Sequence, residues 1–219
     1  MNRTQSLFSI QDGVHPIARS DCFWFLLNRH YAKRVPSISY AYGLFYGGDI
    51  VGVCCFGTPA SSSLRAGIMG GWSDVDVIEL NRLSLLSNEK NQASMLVGAS
   101  LKLLPQKMCV VSYADSEQGH IGYVYQAANF IYTGLSAKRT DWKVKGAEHL
   151  HGHTIADEFR GRENRAELMR EKYGDDFYLE DRSRKHRYVY LVGSKTWRKH
   201  ALKHLQYPIC AYPKEAAHD

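Results

Sequence analysis

The sequence has no long apolar run and no cysteine pair at metal-binding spacing. Its longest hydrophobic stretch, residues 22–27, is far shorter than the roughly 20 residues of a bilayer-spanning helix. The first 12 residues contain no hydrophobic signal core. The five cysteines are an odd set without Cys-x-x-Cys spacing, which fits reduced thiols better than a disulfide framework or a zinc knuckle. We therefore expect a cytoplasmic protein with no membrane partner.

Two motifs of enzymes that act on DNA bases are also missing. The sequence has no Asn/Asp-Pro-Pro-aromatic motif and no glycine-rich strand-to-helix turn for S-adenosylmethionine. It has no His-x-Glu with a following Pro-Cys-x-x-Cys, which marks the zinc deaminases. These absences argue against base methylation and against zinc-dependent deamination.

Positive charge is concentrated near the C-terminal end, although the net charge of the chain is only +6. Between residues 182 and 204 there are eight Lys and Arg residues and no acidic residue. Such a segment suits a polyanion, because each cation near a phosphate releases condensed counterions. A solvated face on a basic protein is the alternative. The candidate DNA-binding residues are Arg182, Arg184, Lys185, Arg187, Lys195, Arg198, Lys199 and Lys203.

Apolar periodicity and turn signals predict an alternation of strands and helices. Predicted helices cover 21–34, 91–104, 122–128, 157–173 and a basic segment from Lys195. Predicted strands cover 37–46, 50–57, 78–86, 108–114, 130–133 and 187–192. The Gly/Ser-rich residues 58–73 predict either a mobile loop over a site or a plain surface connection. This order predicts an α/β (α+β) fold, a mixed sheet flanked by helices.

Arg82 and Asp115 are the strongest candidates for chemistry. Arg82 lies within an otherwise apolar strand, and simple alternation puts it on one face with Leu80, Ser84 and Leu86. A buried guanidinium is costly unless it is paired, so we expect Asp115 or a ligand group as its partner. Asp115 directly follows a buried strand, where sheets of this kind hold ligands. Its structural alternative is to cap the next turn.

Histidines give weaker signals. His30 ends the first predicted helix, where a cationic histidine is favoured for structural reasons alone. The alternating run His149-x-His151-x-His153 has no carboxylate or cysteine at ligand spacing, so we do not expect a metal site there. Tyr125 lies on the short helix after Asp115 and is equally typical of a core residue.

Several short runs resemble the Mom family of bacteriophage DNA-modification proteins. They are Glu79–Ser84, Val111–Asp115, Gln118–His120, Tyr125–Ala127, Asn129–Phe130 and Tyr132–Gly134, preceded by Arg29–Tyr31. The resemblance covers roughly residues 20–140. It implies a fold like that of the Gcn5-related N-acetyltransferases and an enzyme that converts adenine in DNA to N6-carbamoylmethyl adenine. That modification protects phage DNA from host restriction. Residues 1–150 would then form the acyltransferase-like catalytic domain and residues 151–219 a basic extension packed on it or continuous with it.

The resemblance carries functional residues onto this sequence. They are His30, Tyr31, Arg82, Asp115 and Tyr125. We expect Asp115 to act as general base or to accept a hydrogen bond from N6, Arg82 to hold the donor's carbonyl or carboxylate, and Tyr31 and Tyr125 to stack on or orient the base. Candidate substrate-binding residues in the same runs are Ser112, Tyr113 and Gln126. Iron is the implied candidate cofactor, with His30 and Asp115 as candidate ligands.

The donor stays open at this point. Gcn5-related N-acetyltransferases bind the pyrophosphate of coenzyme A on a glycine-containing loop, whereas residues 90–95 here contain no glycine. A carbamoylmethyl product also needs a bond from nitrogen to a CH2 group rather than an amide. We therefore expect either an extra activation step or a donor other than acyl-CoA. Double-stranded DNA and a small-molecule donor are the expected partners, and a second copy of the chain is a further candidate.

Two other functions remain as alternatives. One is a small-molecule or protein N-acyltransferase that uses acyl-CoA on the same sheet. The other is a DNA-binding protein without enzymatic activity, in which Arg82 and Asp115 only pair with each other.

Overall fold

The computed structural model describes residues 11–59, 61–87, 89–148, 150 and 152–214, without the side chain of His153. The predicted absence of a metal site at His149, His151 and His153 therefore concerns side chains outside the described residues. Among the described helices, none is long and apolar enough to cross a bilayer. All five cysteines are free thiols, and four of them are buried.

Nine strands and six α-helices make up the described chain. The strands are β1 Gly13–Pro16, β2 Tyr40–Tyr46, β3 Asp49–Gly57, β4 Asp76–Leu85, β5 Met108–Asp115, β6 Ile131–Leu135, β7 Arg139–Val144, β8 Phe177–Arg182 and β9 Lys185–Val192. The helices are α1 Ser62–Gly67, α2 Gln92–Leu103, α3 Tyr123–Ala127, α4 Gly152–Ala156, α5 Arg165–Tyr173 and α6 Lys195–Ala201. The expected mixed α/β architecture with a helix-flanked sheet is confirmed.

Seven strands form one mostly antiparallel sheet in the order β1-β2-β3-β4-β5-β9-β6. The neighbours β4 and β5 are its one parallel pair. β9 lies between β5 and β6 and is antiparallel to both, so the basic C-terminal segment supplies an inner strand. β7 and β8 form a separate two-stranded sheet beside it.

Helices cover both faces of the large sheet. On one face, the buried side chains of α2 and α3 pack on Leu80, Val110 and Tyr188; we call this the α2 face. On the other, α6 packs on Cys109 and Val189, and we call this the α6 face. Because β5 is covered on both sides, it is a continuous apolar run, as the sequence predicts.

The first predicted helix is wrong in its extent. A 3-10 turn at Arg19–Cys22 leads into one π-helical turn at Phe25–Arg29, and the helix ends there rather than at residue 34. The backbone at His30 is extended, with φ −74° and ψ 135°. The ring of His30 accepts a hydrogen bond from the backbone N–H of Ala32, which stabilises the turn that stops the helix.

Other differences concern segments of weak periodicity. The helix predicted over 157–173 is present only as α5, and β1, β7 and β8 were not predicted. The Gly/Ser-rich residues 58–73 include α1, and Ile68 and Met69 after it are buried in the α6 face. The described part of this segment therefore contains a short helix followed by two buried residues, rather than a plain surface connection.

Candidate active site

A cleft of about 1620 Å³ opens where β4 and β5 separate. The two strands pair only from Asp76 to Glu79 and from Met108 to Val111, although they continue to Leu85 and Asp115. Beyond Glu79 and Val111 the strands diverge, and their C-terminal halves form the two walls. The cleft brings together the five residues implied by the resemblance, His30, Tyr31, Arg82, Asp115 and Tyr125.

A β-bulge places Arg82 and Leu80 on opposite faces of β4. Arg82 lies opposite Cys55 and Leu80 opposite Phe56, so Asn81 is the extra residue on β4. Leu80 packs in the core of the α2 face, whereas Cys55 packs beneath the π-helical turn on the other face. The prediction that Arg82 and Leu80 share a face is therefore wrong, because the bulge interrupts the alternation.

The guanidinium of Arg82 has few protein partners. Nη1 donates to the carbonyl of Asn81 at 2.6 Å, and Nε is buried with no hydrogen-bond partner. Within the described ranges Arg82 forms no ion pair. Burial lowers its pKa, yet an arginine stays charged. An orphaned donor on a charged group is costly, so this side chain is suited to hold an anionic or carbonyl group of a ligand.

Asp115 is 8% exposed and anchored on three sides. Its Oδ2 pairs with Nζ of Lys185 at 2.6 Å, and its Oδ1 accepts hydrogen bonds from the N–H of Glu117 and the hydroxyl of Ser183, both at 3.2 Å. The carboxylate thus also caps the following turn, its predicted structural role. A carboxylate has about four acceptor positions, so one remains for a substrate. Arg82 and Asp115 share the cleft but do not pair with each other. The alternative of a DNA-binding protein without enzymatic activity required that pair, so its basis is removed.

His30 and Tyr31 lie at the mouth of the cleft. Burial and then the charges of Arg82 and His120 lower the pKa of His30 to about 4. The ring is therefore neutral at pH 7, and because Nδ1 accepts from the N–H of Ala32 at 3.1 Å, its proton is on Nε2. The ring of Tyr31 stacks on His30 with centroids 4.5 Å apart and is 57% exposed. This pair offers a donor and a free aromatic face.

Tyr125 and Ser112 lie deeper. Tyr125 packs between Phe130 and Tyr188, and burial raises its pKa to about 12, so the phenol keeps its proton. The nearby Ser112 hydroxyl has a smaller, lowering effect on this pKa, and it donates to the carbonyl of Leu80 at 2.9 Å. Ser112 is fully buried and joins β4 to β5 at the point where they separate. It supports the cleft rather than lining it.

Gln126 and Tyr113 have different surroundings. The amide of Gln126 donates to the carbonyl of Ile121 and to the hydroxyl of Tyr188, and Gln126 is not among the described residues that line the cleft. Tyr113 lines the cleft, and burial raises its pKa to about 12. Of the three candidate substrate-binding residues, Tyr113 alone is brought to the cleft.

The loop after Asp115 depends on two glycines. Gly119 and Gly122 have φ angles of +67° and +85°, a region that other residues rarely adopt. A Cβ atom at Gly122 would lie 2.4 Å from the ring of Tyr188. The loop can therefore pass close to the sheet only with glycine at this position, and residues 118–125 form one rim of the cleft.

The structure divides the basic segment into two groups. Arg182, Lys185 and Arg187 line the cleft, and Arg184 beside them donates to the carbonyl of Ser136. The remaining four cations belong to α6 and the turn after it, and α6 begins after Val192, at the opposite end of β5 from Asp115. Arg187 is buried to 8% exposure, unlike the cations expected to contact a DNA backbone.

The Mom protein family model matches residues 13–214 of this chain. The chain belongs to the Mom family. It is 32% identical over 133 residues to methylcarbamoylase mom of Escherichia phage Mu, and the match covers 58% of this chain and 54% of the relative. The chain thus spans about half the length of this curated relative. The predicted family is confirmed, and the match extends beyond residues 20–140 into the basic segment.

Iron, the candidate cofactor, does not fit the donor set of this Mom-family chain as described. Nδ1 of His30 already accepts a hydrogen bond, which leaves a protonated Nε2, and three donors already occupy the carboxylate of Asp115. Within the described residues no group of three or more His, Cys, Asp or Glu side chains could hold a metal. Iron dependence stays a prediction that these contacts do not support, and no step of the proposed reaction uses iron.

Sequence reasoning assigned some Mom-family cleft residues elsewhere or missed them. Lys185 and Arg182 were expected on a DNA surface rather than at the cleft. Glu79 belongs to a run that resembles the family but received no role, and Arg139 and Tyr207 were not singled out. The charge pattern gave a signal for Lys185. Tyr207 lies outside every predicted helix and strand, and apolar periodicity therefore gave no signal for it.

Proposed function

We propose that this Mom-family protein is an enzyme that modifies DNA by transferring a carbamoylmethyl group to N6 of adenine. The observation that carries the proposal is the shared cleft, in which Arg82 offers an unpartnered guanidinium donor and Asp115 an anchored carboxylate. The name of the phage Mu relative, methylcarbamoylase, supports a group-transfer reaction.

We assign the fold to the Gcn5-related N-acetyltransferase type. The strand order supports this assignment, since the last strand lies between β5 and β6 and the parallel pair β4 and β5 separates to open the cleft. Ligands of sheets with parallel strands bind at the carboxyl ends of those strands, where Asp115 lies.

The target adenine leaves the DNA stack to react. Asp115 is 8% exposed, so a base within a duplex cannot reach it, and the base must be flipped at a cost of a few kcal/mol. The exposed ring of Tyr31 at the mouth provides a face on which the extruded purine stacks. The cations of α6 hold the DNA backbone and offset this cost.

In the transfer step a bond forms between N6 of adenine and the CH2 carbon of an acetamide unit. The donor class is an acetamide with a leaving group on that carbon, and the bond to the leaving group breaks with its electron pair. Asp115 accepts the hydrogen bond from the amino group and takes the proton that N6 loses. Arg82 binds the donor's carbonyl through its guanidinium, in which only Nη1 has a hydrogen-bond partner among the described residues.

The biological role we propose is protection of phage DNA from restriction nucleases. The protein would act in the cytoplasm of the infected bacterium, on double-stranded DNA. Because modified adenine presents a different major-groove edge, a nuclease that reads N6 no longer recognises its site.

The decisive experiment is mass spectrometry of nucleosides from DNA of cells that express the chain. We expect carbamoylmethyl adenine with the parental protein and none with Arg82→Ala or Asp115→Asn, while the DNA affinity of both variants stays nearly unchanged. Arg160→Ala, an exposed arginine outside the described cleft lining, is the matched control and should give the parental level. Unmodified adenine with the parental protein, or parental modification by either cleft variant, would refute the assignment.

A second candidate, N-acyl transfer from acyl-CoA, is favoured by the start of α2. Ala93 in its first turn lines the cleft, and Asn91 adopts the left-handed conformation, with φ 65°, that glycine usually provides. Free N–H groups at a helix N-terminus suit phosphates. Acetyl-CoA would then raise the melting temperature of the protein, whereas transfer from an acetamide donor predicts no shift.

A further inference from the structure

A second guanidinium, that of Arg187, lies on the floor of the cleft and is held from two sides. Its Nε and Nη2 donate to the hydroxyl and the carbonyl of Thr133 on β6, at 2.9 and 3.0 Å. The ring of Tyr207 covers its flat face, with 3.4 Å from Cζ to the ring centroid. Both Arg187 and Tyr207 line the cleft. The group is therefore fixed in position before any ligand binds.

Among the described residues, no carboxylate forms an ion pair with this guanidinium. Arg187 is 8% exposed. Of its five N–H groups, two are used by Thr133. Nε and Nη2 donate to Thr133 along one edge of the guanidinium. The other edge, formed by Nη1 and the second N–H of Nη2, stays open. That edge has the geometry that binds both oxygens of a carboxylate.

Further donors and the expected reaction centre are close by. Tyr113 lies directly opposite Arg187 in the pairing of β5 and β9, and it also lines the cleft. Since burial raises the pKa of Tyr113 to about 12, its hydroxyl remains a donor. Asp115 follows two residues later on β5, roughly 7 Å along the strand. Asp115 thus lies between Arg82 on β4 and Arg187 on β9.

We propose that Arg187, Tyr113 and Tyr207 form an oxyanion subsite that binds the carboxylate of a small organic acid. A guanidinium at 8% exposure lies too deep for a DNA phosphate, which stays outside a cleft that admits the base. On the proposed function, on which this identification rests, the acid is part of the donor molecule. Arg82 then holds the carbonyl of the transferred unit, and Arg187 holds the remainder of the donor.

Fluorine NMR of the full chain with fluoroacetate tests the subsite without DNA. We expect fluoroacetate to bind in a saturable manner and its dissociation constant to rise about tenfold or more in Arg187→Gln, the loss of one charge-assisted bidentate contact. Fluoroacetamide, the neutral analogue, lacks the carboxylate, so any binding of it should be unchanged in Arg187→Gln. Arg160→Gln, an exposed arginine outside the described cleft lining, is the matched control and should bind fluoroacetate normally.

A second variant tests the subsite independently if Arg187→Gln does not fold. Tyr207→Leu leaves both contacts to Thr133 in place and should weaken fluoroacetate binding several-fold. Equal binding by the parental protein and Arg187→Gln, or loss of binding in Arg82→Ala alone, would overturn the subsite. So would binding of inorganic phosphate where fluoroacetate does not bind, because the oxyanion would then be a phosphate.

The outcome is separable from that of the proposed function. Fluoroacetate binding at Arg187 in a protein that leaves adenine unmodified would keep the subsite and refute the DNA-modifying role. Adenine modification at the parental rate by Arg187→Gln would keep that role and refute the subsite.

Discussion

The basic residues at the start of β9 and those on α6 belong to one segment of chain, yet they have different surroundings. Lys185 pairs with Asp115, and Arg187 is buried against Thr133 and Tyr207. In contrast, Arg198 and Lys199 are exposed on α6 and form no ion pair with the described residues. The difference shows that a run of like charges can combine fixed cleft groups with a solvated surface.

This contrast has a physical basis in the register of the sheet. The strand places alternate side chains against the cleft, where Lys185 pairs with Asp115 and Arg187 donates to Thr133. The helix lies at the other end of β9 and exposes its cations to solvent, where a mobile polyanion can meet them. Charge density alone therefore does not separate a catalytic role from a binding role.

The largest expected effect is on turnover and comes from the strand group. Lys185→Ala removes the charged partner of Asp115, so we expect turnover at saturating DNA to fall roughly 10- to 100-fold. The affinity for DNA should change little. Steady-state kinetics with a nucleoside assay measure turnover and the dependence on DNA concentration separately. A change in KM without a change in kcat would mean that Lys185 acts as the α6 cations are expected to act.

The helix group should show the opposite pattern. Arg198→Ala with Lys199→Ala should weaken DNA binding about tenfold in moderate salt, equally across sequences, and flatten the dependence of log affinity on log salt by about 1.8. Turnover at saturating DNA should persist. The control pair Lys143→Ala with Lys145→Ala removes two cations that are paired with Glu180 and Asp176. If both double variants lose affinity alike, α6 is not the DNA surface.

A smaller effect concerns stability in acid. Folding lowers the pKa of His30 from 6.5 to about 4, so the unfolded chain binds more protons between these values. The free energy of unfolding should therefore decrease as the pH falls from 6.5 to 4. His30→Asn keeps an acceptor for the N–H of Ala32 and cannot titrate. Urea unfolding of both proteins across this window should show a shallower acid loss for the variant, and parallel curves would contradict the assignment.

The smallest expected effect separates the two groups by stability alone. Lys203→Ala removes an exposed cation after α6, and its urea midpoint should match that of the parental protein. Lys185→Ala leaves a buried carboxylate with a lost hydrogen bond and should lower the midpoint. Equal midpoints for the two variants would mean that Asp115 reaches water in the absence of Lys185.

The sequence predicts those parts of the fold in which local signals agree with the tertiary structure. The hairpin of β2 and β3 has Gly47 and Gly48 at positive φ, and α2 ends before Pro105. β5 is recognisable because both of its faces are buried. Short elements such as β1 and β7 carry too few residues for a period, and pairing partners distant in sequence determine them.

The sequence predicts several residues of the cleft but not its geometry. Motifs identified Arg82 and Asp115, and the structure places both in one cleft. The bulge at Asn81 was not predictable, because an extra residue leaves no trace in an alternating pattern. The burial of Arg187 was equally hidden, since it depends on β9 entering the sheet beside β6 and on Tyr207 folding back over the strand.

The late position of β9 in the chain has a consequence for synthesis on the ribosome. Until residues 185–192 emerge, β5 and β6 both have an unpaired edge, and the nascent chain lacks Lys185 and Arg187. Closure must also join segments about 75 residues apart, which makes it a slow folding event. An incomplete translation product therefore has no finished cleft, and function begins only once β9 has been inserted.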